Sequence, residues 1–301
     1  YRGFQGDTLA SALLANGVRL LGRSFKYHRP RGLVAAGTEE PNALVTVFRD
    51  AGRSTPNLPA TAVELHQGLQ AESQNRWPSL KWDVSALNDL FSPLFVSGFY
   101  YKTFMWPKSF WKKVYEPQIR AAAGFGKAPK APDPDRYANR HAHCDVLVVG
   151  AGPAGLAAAV AAAEAGARVI LCDENADLGG SLLADPNAEI EGRAGKDWVG
   201  DIVMNLALKD NVTVLPRTTA FGYYQDNAVG LLGRVTDHMS DPASHLPRER
   251  LWQVRAKQVV ICAGALERPL VFPENDRPGI MLADAARTYL NRWGVAAGRR
   301  A

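Results

Sequence analysis

The most regular hydrophobic pattern in the chain lies between His143 and Ser181. Asp145 to Val149 is a short, β-branched, apolar run, as expected of a strand buried on both faces of a parallel sheet. It runs into Gly150-Ala151-Gly152-Pro153-Ala154-Gly155, and behind the glycines Leu156 to Ala165 is Ala-rich with high helix propensity, closed by Gly166. A second apolar strand, Ala167 to Cys172, delivers Asp173 and Glu174 at its carboxyl end. Further on, the pattern predicts a helix over 197–208 and strands over 212–215, 218–224 and 252–257. Gln258 to Ala265 reads as a buried strand ending in small residues. Near the start, Leu9 to Ala15 reads as a helix capped by Asp7 or Thr8 and stopped by Asn16-Gly17, with Leu9, Leu13 and Leu14 on one face.

The strand, glycine loop, helix and acid together predict a dinucleotide-binding βαβ unit of Rossmann type. Gly150 makes the tight turn, Gly152 lets backbone approach a pyrophosphate, and Gly155 lets helix and strand pack closely. The diphosphate then lies on a helix N-terminus, where amides and dipole favour negative charge. Asp173, 23 residues past Gly150, stands where a carboxylate hydrogen-bonds a ribose hydroxyl, which favours NAD or FAD over NADP. Gly179-Gly180-Ser181 supplies a second point of close backbone approach, and Ala220 is the expected contact beside an adenine ring.

Length and composition fit this picture. The 301 residues, 47% hydrophobic, suffice for about two domains with a sizeable core. No apolar run reaches the ~18 residues of a membrane span, and a soluble cytoplasmic protein is expected. Cys144, Cys172 and Cys262 show no metal-ligand spacing and read as reduced thiols. A net charge of +5 suits anionic cofactors but is too thinly spread to argue for nucleic acid. The chain begins at Tyr1 and ends at Ala301 without clear terminal features, and is read as a fragment of a longer one.

Elsewhere the sequence poses alternatives. The basic loop from Arg23 to Arg31 suits a cofactor phosphate or an acidic partner, or is merely solvated. Residues 55–90 are loop-rich. Gly98 to Pro117 holds eight aromatics among lysines, a composition suited to docking one domain or subunit on another. Ala121 to Tyr137, with Pro129, Pro132 and Pro134, reads as a linker.

Five stretches together resemble the α subunits of heterotetrameric sarcosine oxidases: GDTLASALLANGVRLLGRSFKYHRPRG, GFYYKTFMWP, APDPDRY, CDVLVVGAGPAG and ICAGALERPLVFPENDRPGIM. The resemblance implies an α/β chain with a ferredoxin-like (β-grasp) N-terminal domain and linker, residues 1–137. A Rossmann-type FAD/NAD(P)-binding domain, residues 138–301, incomplete at its C-terminus, would follow. It implies NAD held here by Gly150, Gly152, Ala154 and Gly155 at the phosphates, by Asp173, Glu174 and Asn175 at the ribose, and by Ser181 and Ala220. No catalytic residue and no metal ligand transfers onto the chain. The implied partners are β, γ and δ subunits, with FAD and FMN in the partner, zinc on δ, and tetrahydrofolate bound by a C-terminal region outside this sequence. The implied reaction oxidises sarcosine to glycine and formaldehyde with O2 giving H2O2, the one-carbon unit passing to tetrahydrofolate when present. Two other readings remain: an FAD-binding subunit of a related amine or opine dehydrogenase, and a non-catalytic docking subunit. Related N-terminal domains carry cysteines for an iron–sulfur cluster, but the loop here has Phe25, Tyr27 and His28 and no cysteine, which excludes a [2Fe–2S] centre.

Overall fold

A computed structural model describes residues 1–50, 52–102 and 104–298, apart from the side chains of Tyr100 and Tyr101. It divides into two compact units. Of the described residues, the first comprises those of 1–133, 268–286 and 295–298, and the second 134–267 and 287–294.

In the first unit, helix α1 (Leu9–Ala15) is capped by Thr8, whose hydroxyl accepts from the Ser11 amide while the Ser11 hydroxyl accepts from the Thr8 amide. Asp7, the other cap candidate, is instead buried and accepts from the Ser11 hydroxyl at 2.9 Å and the Phe4 amide at 2.7 Å. A two-stranded ribbon follows, β1 (Gly22–Arg23) antiparallel to β2 (Pro30–Arg31). Next comes a three-stranded antiparallel sheet, with β3 (Leu44–Phe48) between β4 (Ser54–Pro59) and β5 (Gln70–Ser73). Strand β3 alternates half-buried and buried residues, so Val45 and Val47 point to the core with Leu9, Leu14, Leu21 and Leu33. A run of 3₁₀ turns over Val84–Phe95, a single helical turn α2 (Phe99–Lys102) and helix α3 (Glu116–Ala121) complete the contiguous part.

The second unit is a six-stranded sheet. Strand β6 (Tyr137–Val149) leads through helix α4 (Pro153–Glu164) to β7 (Val169–Cys172). The small ribbon β8 (Glu189–Ile190) and β9 (Arg193–Ala194) precedes helix α5 (Gly195–Ala207) and β10 (Val212–Leu215). An antiparallel meander follows: β11 (Thr218–Tyr224), β12 (Ala228–Arg234) and β13 (Glu249–Ile261). The order is β10-β7-β6-β13-β12-β11, with β10, β7, β6 and β13 mutually parallel. Helices α4 and α5 cover one face through Leu156, Ala159, Trp198 and Leu206; Leu147, Ile170, Leu231 and Val254 pack on the other. Helix α6 (Ala283–Trp293) lies near the end of the chain.

Three expectations change. First, the chain after residue 137 does not all belong with the nucleotide fold. Residues 268–286 pack in the first unit, where Asp276 pairs with Arg29 at 3.0 Å and with Arg31 at 2.6 Å and the Leu282 amide donates to the Val34 carbonyl. Second, β13 is one continuous strand ending at Ile261; Gln258 and Ile261 are exposed, and 263–265, the expected end of a buried strand, are exposed and irregular. Its last residues pair only with β6, so apolarity here did not translate into burial. Third, strand β12 was not anticipated, because its glycines at 230 and 233 dilute the alternation.

Among the described residues, no helix is long and apolar enough to cross a membrane.

Candidate dinucleotide-binding site

The glycine loop is built by close backbone approach. Gly150 leaves β6 at φ +97°, its amide donating to the Cys172 carbonyl at 2.8 Å, and a Cβ there would overlap the Cys262 carbonyl oxygen. Gly155, in the first turn of α4, is buried, and a Cβ on it would overlap the Gly150 carbonyl oxygen. Gly152 is the N-cap of α4, with φ −73° and ψ −176°, and Pro153 opens the helix where no amide partner is needed. The first regular helical bond runs from the Leu156 amide to the Gly152 carbonyl at 2.9 Å, so the amides of Ala154 and Gly155 precede it in the turn that carries the positive end of the dipole. Ala154 is exposed at this end.

The second glycine pair lies against the first loop. The Gly179 amide donates to the Ala151 carbonyl at 2.8 Å, and a Cβ on Gly180, at φ +54°, would come 2.9 Å from the Gly152 Cα. Ser181, next to it, is exposed. Residues of α6 steady this loop: Arg292 pairs with Asp177 at 3.0 Å, and the Asn291 amide group donates to the Ala184 carbonyl at 2.9 Å. Nothing in the sequence signalled that contact, because α6 lies more than a hundred residues away.

Asp173 leaves β7 half-buried beside the glycine loop. One carboxylate oxygen accepts from the Ala151 amide at 2.7 Å; the other accepts from the Asn175 backbone amide at 2.8 Å and its side-chain amide at 3.0 Å. A carboxylate has about four acceptor positions, so one remains for a ribose hydroxyl. Glu174 is half-buried and its carbonyl accepts from Arg234 at 2.7 Å, while the exposed Asn175 carbonyl accepts from the Arg217 amide at 2.9 Å. Both arginines had gone unremarked in the sequence. The Thr218 amide donates to the Asp173 carbonyl at 2.7 Å, which brings the start of β11 to this end; Ala220, two residues on, is half-buried opposite Leu231. The donor set and the Cβ-free cradle fit a dinucleotide: a pyrophosphate at the N-terminus of α4 and an adenosine ribose at Asp173.

Two thiols lie under the site. Burial pushes Cys172 up to about 12 and Cys144 up to about 11, with the nearby Asp173 and Asp145 carboxylates adding to each. Both are therefore protonated at neutral pH. In the second half of β6, Arg168 and Lys257 hold the Asp145 carboxyl well below the usual carboxylate range.

The basic loop of the first unit is not a phosphate cradle. Arg23 is spent on the Leu80 and His28 carbonyls, Arg29 and Arg31 on Asp276, and Lys26 on the Phe95 carbonyl and the rings of Tyr27 and Phe99.

Residues 1–76 match the family of 2Fe-2S iron-sulfur cluster binding domains, and residues 145–225 the family of FAD dependent oxidoreductases. The chain is 60% identical over 99% of its length to the sarcosine oxidase alpha subunit of Rhizobium meliloti, and 41% identical over 99% to that of a Corynebacterium. It is thus similar over nearly its whole length to part of the sarcosine oxidase α subunits. It spans about 30% and 26% of the length of those two relatives. An opine oxidase subunit of Agrobacterium tumefaciens is 34% identical over half of the chain, covering 30% of that protein. Among solved structures, an L-proline dehydrogenase from P. horikoshii superposes over 99% of the chain and 45% of its own, with a TM-score of 0.63 at 21% identity, which shows a shared fold. The match to an iron–sulfur domain extends to the fold and not to the ligands. Residues 1–76 contain no cysteine, whereas such a cluster is held by cysteine thiolates, so this domain keeps the fold without the residues that would hold the metal.

Proposed function

We infer that this chain is the dinucleotide-binding part of the α subunit of a sarcosine oxidase, and that the nucleotide it holds is NAD. The observation that carries the reading is the cradle itself. Gly152 and Gly180 meet backbone to backbone at the N-terminus of α4, and Asp173 is fixed beside them with an acceptor to spare. The high identity to sarcosine oxidase α subunits supports a reaction of that kind. The complex would oxidise sarcosine to glycine and formaldehyde, reducing O2 to H2O2, and pass the one-carbon unit to tetrahydrofolate when present. The amine-oxidation site with FAD and FMN would belong to a β partner, γ and δ would complete the assembly, and a later region of the chain would take the folate. In this chain Gly150, Gly152, Ala154 and Gly155 would carry the pyrophosphate, Asp173, Glu174 and Asn175 the adenosine ribose, and Ser181 and Ala220 the flanks.

A second reading has its own support, since residues 145–225 match FAD dependent oxidoreductases and the same cradle accepts either dinucleotide. Heat release of the nucleotide from the purified protein, followed by mass and visible spectrum, separates the two. NAD, without visible absorbance, is the expected product; FAD would move a redox centre into this chain and favour the dehydrogenase-like alternative.

A further inference from the structure

The 3₁₀ segment Val84–Phe95 is anchored at both ends yet buries none of its residues. At its start the Asp83 side chain, with no exposed surface, accepts from the Ser85 amide at 3.2 Å and the Trp77 amide at 3.0 Å and meets His28 Nδ1 at 2.7 Å. At its end the Phe95 carbonyl accepts from Lys26 Nζ and from the Tyr27 hydroxyl at 3.1 Å. Between these anchors the apolar residues recur every third position, the period at which 3₁₀ side chains eclipse. Val84, Leu87 and Leu90 form one row, and past a break at Phe91 the row continues with Leu94. All are exposed, Leu90 to 75% and Leu87 to 56%. A chain of ring contacts, Phe95 to Phe99 to Phe104 to Tyr115 to Phe110, ties this row to the segment after it, where Trp106 is 83% exposed. Fixed apolar side chains gathered on one exposed face mark an interaction surface.

Charge identifies what covers it. Residues 77–130 carry eight Lys and Arg against three Asp and Glu, an excess of five, whereas the cations of the other basic stretch, Arg23 to Arg31, are spent within their own unit. Of those three acids Asp83 is buried and Glu116 pairs with Arg120 at 2.9 Å. A concentration of positive charge beside such a surface speeds encounter between separately diffusing bodies. A segment of the same chain, already held at high effective concentration, gains nothing from it. An anionic lipid surface would also attract the lysines, but the apolar row is a shaped, doubly anchored ridge with Asp89 in its midst, not an uninterrupted amphipathic helix.

We propose that the ridge Val84–Leu94 with Phe99 and the segment Phe104–Val114 is the docking surface for a separate polypeptide subunit, one presenting an apolar groove rimmed by carboxylates. This rests on the reading of the chain as one subunit of a complex. The test uses the full-length protein co-expressed with the companion subunits of that complex. A photo-crosslinking residue at position 90 is expected to join it to a companion subunit, identified by mass. The Leu90→Glu/Leu94→Glu variant is expected to release that subunit on size exclusion while keeping its bound nucleotide and circular dichroism. In Lys112→Glu/Lys113→Glu, association is expected to slow about tenfold at low salt and to lose most of its salt dependence. Crosslinks only within the same chain, co-flotation with vesicles of anionic lipid in place of subunit binding, or a double variant that assembles like the wild type would each overturn the proposal. A wild-type protein that keeps its nucleotide but never assembles would also overturn it, while leaving the dinucleotide reading intact; loss of nucleotide binding alone would count against that reading and not against the docking surface.

Discussion

Gly152 and Gly155 are three residues apart in one motif, and the structure assigns them separable jobs. A methyl group on Gly155 points at the Gly150 carbonyl oxygen, which is backbone and cannot swing aside, with the Cys262 Cβ at 3.3 Å behind it. Ala in place of Gly should gain about 1 kcal/mol of helix propensity. Forcing α4 off the loop costs about 1–3 kcal/mol or more, and because the obstacle is backbone the upper end applies, leaving a net loss of about 2 kcal/mol. A methyl group on Gly152 meets nothing nearer than the Gly180 Cα at 3.9 Å, and its φ of −73° suits any residue. There the weaker N-cap and the stiffer unfolded chain nearly cancel, each a few tenths to about 1 kcal/mol. The same methyl would fill the space where a pyrophosphate reaches the amides of Ala154 and Gly155. Losing one charged hydrogen bond there costs about 1.5–3 kcal/mol, roughly a 10- to 100-fold rise in Kd. Thermal melts and calorimetric titration of nucleotide into stripped protein read both quantities. Gly155→Ala should melt lower, and Gly152→Ala should melt like the wild type but bind poorly. A Gly152→Ala protein that binds normally would refute the placement of the pyrophosphate.

Asp173→Ala should weaken nucleotide binding by about 1.5–3 kcal/mol, and because Asp173 also accepts from the Ala151 and Asn175 amides it should lower stability as well; Asp173→Asn, which keeps one acceptor oxygen, should recover part of the stability, as denaturant titration of the three proteins would show. With Cys144 raised to about 11 and Cys172 to about 12, only about one buried thiol in a thousand or fewer is thiolate at pH 8. Alkylation of the native protein followed by peptide mass mapping should label Cys262 and reach the other two only on unfolding. The sign of the linkage follows: both thiols ionise more readily unfolded, so their contribution is complete below about pH 9 and is lost as pH rises toward 11 and 12. Cys172→Ala should flatten the alkaline limb of a stability-against-pH curve. Asp83→Ala strands the Ser85 and Trp77 amides and leaves Arg23 and His28 without their buried carboxylate, so the first unit should lose about 3–5 kcal/mol in urea melts, and a loss below 1 kcal/mol would mean that the cluster does not anchor the segment.

How far the sequence carried the structure depended on whether local chemistry and burial agreed. At the βαβ unit they did: strand, turn and helix each had a residue-level cause, and α4, β7 and β10 lie within a few residues of where the pattern predicts them. Asp173 was legible as an acid at the correct distance, but its bond to the Ala151 amide was not, since that depends on how the loop closes over β7. The α6 contacts to Asp177 and Ala184 join residues more than a hundred positions apart, and no spacing rule reaches so far. In the basic loop, charge density suggested a ligand, whereas the structure spends those cations on carbonyls, an aspartate and aromatic rings of its own unit.

The apolar runs that misled mark a more general limit. Hydrophobic periodicity reports that a face is covered and not what covers it, and in a chain that spans about 30% of its relatives' length the cover need not be present. Gln258 to Ala265 reads as a buried strand because it is apolar and ends in small residues, yet Ile261 is 65% exposed and 263–265 are exposed as well. Val84 to Leu90 is a short apolar string in a loop-rich stretch, and the period of three in Val84, Leu87 and Leu90 assigns it to neither an α-helix nor a strand. Both are apolar surface without a core behind it, but they differ in what surrounds them. The first ends in an irregular stretch without a concentrated charge of its own, whereas the second sits on a buried, ion-paired anchor inside a stretch, 77–130, with eight Lys and Arg against three Asp and Glu. A side chain left to chance would not be held in place by Asp83, His28 and Arg23. That buried charge cluster has a structural cost, and its effect is to present Leu87 and Leu90 to whatever binds there.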